Sequence, residues 1–123
     1  MNPVIWFEIP VTDIVRAKEF YEKVFDFKLE SHDFDTMKMA WFPMSKDAPG
    51  AAGSLVQEDS YAPSLTETGV IIYFSVEDIE AILEKASGNG GEILQPKLAI
   101  GEYGFIGHFI DSEGNRIGLH SMK

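Results

Sequence analysis

Cysteine is absent from the 123 residues, so the chain has neither a disulfide framework nor thiolate chemistry. That absence suits a reducing compartment, and the cytoplasm is the expected location. No apolar run approaches the roughly 20 residues needed to span a bilayer, and the opening residues lack the basic and apolar segments of a secretory signal. Basic side chains are few: ten Lys and Arg face twenty Asp and Glu, for a net charge of -10. A field of that sign repels phosphate backbones, and no basic cluster offsets it. Neither nucleic acid nor a membrane is an expected partner. The glycine-containing stretches 50–53 and 88–91 lack the Lys of a phosphate loop and the spacing of a dinucleotide site. What remains is ordinary: 45% hydrophobic residues in a length suited to one domain, residues 1–123.

The hydrophobic pattern divides that domain. Ile5, Phe7, Ile9 and Val11 form an apolar row alternating with Val4, Trp6, Glu8 and Pro10, the period of a half-buried strand. Asp13 stands where an N-cap belongs, ahead of Ile14, Ala17, Phe20, Tyr21, Val24 and Phe25 at helical spacing. Strands are expected around 28–31, 37–44 and 54–57, with a loop over 46–53. After a polar connector the order repeats. Val70, Ile72, Phe74 and Val76 alternate with Ile71, Tyr73 and Ser75. Asp78 caps a second helix, glycines at 88–91 end it, and strands are expected over 92–98, 105–110 and 116–121. Residues 111–115 suit the tight turn joining the last two strands.

Laying Val11–Ile14 on Val76–Ile79 gives an offset of 65 residues that superposes the apolar rows. The reading is an α+β fold of two tandem βαβββ modules, 1–58 and 68–123, joined by a connector over 59–67. The modules form a cupped, mostly antiparallel sheet with helices on its outer face and the mixed rows on its concave face.

Two segments carry a family resemblance. Phe7–Ile14 followed by Arg16–Phe25 resembles the opening strand and helix of glyoxalase-like proteins. Asp111–Leu119 looks like their closing hairpin. The paired modules agree, so the chain resembles the vicinal-oxygen-chelate superfamily, which holds glyoxalases (lactoylglutathione lyases), bleomycin-resistance proteins and extradiol dioxygenases. Asp26 departs from the pattern, which usually has Gly after the first helix. The resemblance also implies where metal-dependent relatives keep their ligands: seven residues before each capping Asp, and four after the Gly of the closing turn. These positions, with their repeat partner by the 65-residue offset, are Trp6, Ile71, Gly118 and Gly53. None offers a carboxylate or imidazole, so no metal and no other cofactor is expected at the inherited site.

Other residues are left to carry chemistry. Glu8 is the acidic residue of the first strand, a candidate general base or partner of a cationic ligand; it can equally reach solvent at the rim. His120 shares the face of Gly118, and His108 joins it if the hairpin pairs Phe109 with Ile117. Either can be an acid–base group or a hydrogen-bonded rim histidine. Glu8 with both histidines is the conceivable relocated metal site, while His32, near a strand end, is expected in solvent. Trp6, Met39, Trp41 and Tyr73 are expected on the concave face, as core filling or as the wall of a flat ligand. Two functions follow: a metal-free module binding a small organic ligand, or a lyase- or isomerase-type enzyme using Glu8 or His120. A homodimer is expected, because four-stranded modules leave sheet edges.

Overall fold

Each half of the chain begins its helix in the same way. Asp13 and Asp78 lie in extended backbone, and their carboxylates accept the N–H groups of Arg16 and Ala81 at 3.1 Å. These caps satisfy donors that a first turn leaves unpaired. A computed structural model of the protein describes residues 2–63 and 69–123. The end of the connector and Thr68, where the sequence places the start of the second module, lie outside the described residues.

The first module runs β1 (Trp6–Pro10), α1 (Ile14–Phe25), β2 (Glu30–Asp33), β3 (Lys38–Trp41) and β4 (Ala52–Gln57). The second runs β5 (Ile72–Ser75), α2 (Ile79–Gly88), β6 (Glu92–Ala99), β7 (Phe105–Ile110) and β8 (Arg116–Ser121), with a short 3-10 turn at Gly101–Tyr103. The α+β, two-module expectation holds. At the end of α1, Asp26 takes up the left-handed conformation (φ 58°) and donates its N–H to the Glu22 carbonyl. This is the place where the family pattern has Gly, the residue that enters that region without strain.

Among the described residues two four-stranded sheets form, one in each module, in the orders β1-β4-β3-β2 and β5-β8-β7-β6. In each, one pair is parallel (β1 with β4, β5 with β8) and the others are antiparallel. No ladder joins β1 to β5. Side chains meet there instead, the Phe7 ring standing edge-on to Phe74 with centroids 6.2 Å apart.

α1 holds the halves together. Its Phe20 packs on Phe109 of β7, while Tyr21 lies between Phe42 of the first module and Phe74 of the second. One apolar cluster therefore runs through both modules. Polar ties reinforce it: Tyr21 Oη donates to Asp111 at 2.6 Å, and Asn115 Nδ2 to the Pro10 carbonyl at 2.8 Å. Among the described residues no helix is long and apolar enough to cross a membrane.

Candidate functional site

Strand pairing decides which side chains share a face, because directly opposed residues point the same way. In β1, Phe7 and Ile9 turn toward the helices and Trp6 and Glu8 turn away. Glu8 pairs with Ser54, Ser54 with Trp41, Val56 with Met39 and Met39 with His32. These residues form the helix-free face of the first module. In the second, Tyr73 pairs with Gly118 and Ser75 with His120, while His108 pairs with Gly118 across the hairpin. The hairpin register is the one that brings His108 onto the face of His120. Arg116, two residues before Gly118, joins them; the sequence reading missed it, although alternation along β8 was the signal that could have found it.

One expected position is wrong. Gly53 pairs with Phe7, and a Cβ built on it would lie 2.3–2.5 Å from that ring. It faces the helices, and the cleft position of β4 is Ser54. The cause is a one-residue difference between the modules: the chain from Glu8 to its partner Ser54 is one residue longer than from Tyr73 to Gly118. A single offset of 65 residues fits the first strands and slips on the last, and a slip of one turns a side chain to the opposite face.

On the first module's face, Trp6 and Trp41 stand edge to face, centroids 6.0 Å apart, with Trp6 37% exposed. Trp6 Nε1 donates to Glu8 at 3.2 Å, and Tyr61 Oη, from the connector, donates to its other carboxylate oxygen at 3.1 Å. That bond raises the Tyr61 pKa. Glu8 is exposed, a rim carboxylate rather than one sunk in an apolar pocket. Met39 keeps the expected face but is buried, so it backs the cleft instead of lining it. His32 is the second correction: its ring stacks on Trp41 at 3.7 Å and is half-buried rather than in solvent. His32 Nε2 and Trp41 Nε1 are both buried without a hydrogen-bond partner.

On the second module's face, Tyr73 is 47% exposed and its Oη lies 2.7 Å from His108 Nε2. Arg116 approaches the other ring nitrogen, with Nε at 3.0 Å and Nη2 at 2.8 Å from Nδ1. Burial, and after it the Arg116 charge, lower the His108 pKa. His120 Nε2 donates to the Tyr103 carbonyl at 2.6 Å, which leaves Nδ1 as the acceptor of the neutral ring. Glu8, Pro10, Ile72, Asn115 and Arg116 line a cavity of about 210 Å³ at the junction of the modules.

With that geometry in view, likeness to known proteins becomes specific. Residues 4–119 match the family model of the Glyoxalase/Bleomycin resistance protein/Dioxygenase superfamily. The chain belongs to that superfamily. A glyoxylase-like domain-containing protein of Didymella fabae is 30% identical over 113 residues, covering 88% of this chain and 84% of its own length. A putative glyoxylase, CFP32, of Mycobacterium bovis is 24% identical over 114 residues; the match covers 93% of this chain and 43% of that protein. Among solved structures, a domain described as glyoxylase/bleomycin resistance protein/dioxygenase from Frankia sp. superposes with a TM-score of 0.74 at 20% identity, over 100% of this chain and 99% of its own. A glyoxalase I mutant from Zea mays gives 0.76 at 20% identity, over 98% of this chain and 47% of the maize one. The last two show the fold alone. The chain spans less than half the length of CFP32 and of the maize enzyme.

The metal of the family's metal-dependent members can now be tested against the residues present. The corrected cleft positions are Trp6, Ser54, Ile71 and Gly118. Ser54 is fully buried and spends its hydroxyl on the carbonyls of Leu55 and Ala40 at 2.7 and 3.1 Å. The other three carry no donor for a divalent cation. These residues do not fit the metal. Among the described residues no group of three His, Asp or Glu side chains converges elsewhere, so Glu8, His108 and His120 do not assemble the relocated site.

Proposed function

We propose that the protein binds a small organic molecule on the cleft faces of its two modules, without the metal of its metal-dependent relatives. Trp6 and Trp41 supply ring surface and Glu8 a polar contact for a cationic or N–H-bearing group. The observation that carries this reading is the half-open Trp6, which stands edge to face with Trp41 and donates its indole N–H to the exposed carboxylate of Glu8, so ring surface and an anionic group lie side by side and open.

Two measurements test the reading together. Elemental analysis of dialysed protein is expected to find no stoichiometric zinc, nickel, manganese or iron; one retained equivalent would sink the metal-free part. A cationic aromatic probe such as benzyltrimethylammonium is expected to perturb tryptophan fluorescence, because rings beside a bound cation report it directly. Glu8→Gln is expected to weaken that probe by up to about fivefold, the modest effect of a solvent-screened charge. Unchanged affinity would remove Glu8 from the site.

A second reading, a lyase- or isomerase-type enzyme related to glyoxalases, draws on the names of its relatives and on His120. With Nε2 held by the Tyr103 carbonyl, Nδ1 of the neutral ring is an acceptor able to take a proton. Turnover that His120→Gln abolishes while ligand binding persists would establish it over simple binding.

A further inference from the structure

The arrangement around Tyr73 determines its own proton positions. A guanidinium has donors and no acceptor, so His108 Nδ1, with two Arg116 nitrogens at 3.0 and 2.8 Å, must be unprotonated. A neutral imidazole carries one proton, which therefore sits on Nε2 and is donated to Tyr73 Oη 2.7 Å away. The phenol oxygen thus accepts, and its own hydrogen must point elsewhere. Tyr73 is 47% exposed on the cleft face, which leaves the cleft open to that hydrogen. The lowered pKa of His108, from burial and then from Arg116, keeps the ring neutral and the order of donors fixed.

Gly118 makes this possible. A Cβ there would fall 2.6 Å from the Tyr73 ring, so any side chain would push the ring off the strand and away from His108. At the position where metal-dependent relatives place a ligand, this chain has instead made room for a tyrosine. We propose that Tyr73 is a preset hydrogen-bond donor for an oxyanion of the ligand (a carboxylate, phenolate or enolate oxygen), with His108 and Arg116 as the positioning residues that orient it. The bond from His108 Nε2, backed by a guanidinium, stabilises electron density on the phenol oxygen and strengthens the O–H as a donor. The site so built is an electrophilic subsite made from side chains, in the module opposite Glu8 and Trp6.

This inference rests on the cleft faces being the ligand site, and two probes separate the two ideas. 4-Nitrophenolate, at a pH where it is ionised, offers a flat ring with one oxyanion; nitrobenzene offers the ring alone. The expected result is that 4-nitrophenolate binds about tenfold or more tighter than nitrobenzene, and that Tyr73→Phe removes this preference while leaving nitrobenzene affinity unchanged. His108→Gln presents an amide oxygen to Arg116 and an amide N–H to Tyr73, and is expected to keep the preference; His108→Leu is expected to lose it. The ¹⁵N shifts of His108 in the free protein are expected to show the neutral ring with its proton on Nε2. A proton on Nδ1, or equal affinities for the two probes in wild type and Tyr73→Phe, would overturn the subsite while leaving ring binding intact. Failure of both probes to bind at millimolar concentration would overturn the subsite and the ligand face together.

Discussion

At the scale of single residues, the closing turn does more than reverse the chain. Glu113 reaches across to the start of α1, where its carboxylate accepts the N–H groups of Thr12 and Asp13, the Thr12 hydroxyl, and two Arg16 nitrogens at 2.6 and 2.9 Å. A helix N-terminus with its free N–H groups favours an anion at that spot. Burial alone would raise the Glu113 pKa, but the bonds from Arg16, Thr12 and Asp13 outweigh it and bring the pKa to about 2. A carboxylate depressed in the folded state contributes stability above its unfolded value of about 4.5, and that contribution is lost as the pH falls toward 2. Arg16 is half-exposed, so screening reduces the contribution to about 1–2 kcal/mol. Glu113→Gln is expected to lower stability by that amount at pH 7 and to converge on wild type by about pH 2, in urea melts run at both values. Burial raises the Asp111 pKa despite its hydrogen bonds, so Asp111 acts in the opposite sense. It acts in both proteins, and their difference isolates Glu113. Parallel pH profiles without convergence would show that the carboxylate's charge is not what matters.

At the scale of elements, the sequence was most legible where one face is buried. The apolar rows of β1 and β5 from Phe7 and Ile72 onward, both helices, the two Asp caps and the β7–β8 hairpin follow from periodicity and turn chemistry, because burial leaves little choice of register. Ile5 and Val70, which the pattern adds to those rows, lie outside the strands and are exposed. The sequence was least legible where two elements must be counted against each other. The facing of β4 depends on the length of the loop before it, which composition marks as loop without fixing its residue count, and the slip from Ser54 to Gly53 arose there. The Arg116–His108–Tyr73 order was half visible: alternation aligns Arg116 with Gly118 and His120, but nothing in spacing shows the guanidinium turning onto Nδ1. Grafting ligands into the cleft tests the corrected register. Trp6→His, Ser54→Glu and Ile71→His together place two imidazoles and one carboxylate on the faces assigned here, a set able to hold Zn²⁺ with one position open. Gly118 is kept, because a side chain there would meet the Tyr73 ring. Added Zn²⁺ is expected to raise the melting temperature of this variant and not of the parent, since a metal that binds only the folded state stabilises it by mass action. A variant carrying Glu at Gly53 instead of Ser54 meets the Phe7 ring and is expected not to respond. An equal response of the two variants would overturn the facing of β4.

At the scale of the whole molecule, the two sheets leave their first strands without a shared ladder. Among the described residues β1 and β5 each pair on one side only, with β4 and β8. Around them large apolar side chains stay in water: Val4 is 61% exposed, Ile5 76% and Val70 78%, beside the half-open Trp6 and Tyr73. Unpaired strand edges flanked by apolar residues invite pairing with another chain, and natural sheets protect them with charge, proline or cover. Pro3 and Pro10 bracket β1, yet Val4 and Ile5 between them carry no charge and no cover. The occupant proposed for this surface is a second copy of the chain, because a two-fold pair would bury both edges at once and enclose cleft faces that one chain leaves open. Sedimentation at protein concentrations on the order of tens of micromolar is expected to give about twice the 13.7 kDa chain mass. Ile5→Lys is expected to shift that mass to the monomer while circular dichroism stays unchanged, because Ile5 makes no part of the core cluster. If the surface is the dimer contact, the same variant lowers tryptophan fluorescence polarisation and weakens ligand binding at low protein concentration. A wild-type monomer at that concentration would overturn the pairing, and a dimer indifferent to Ile5→Lys would move the interface away from β1.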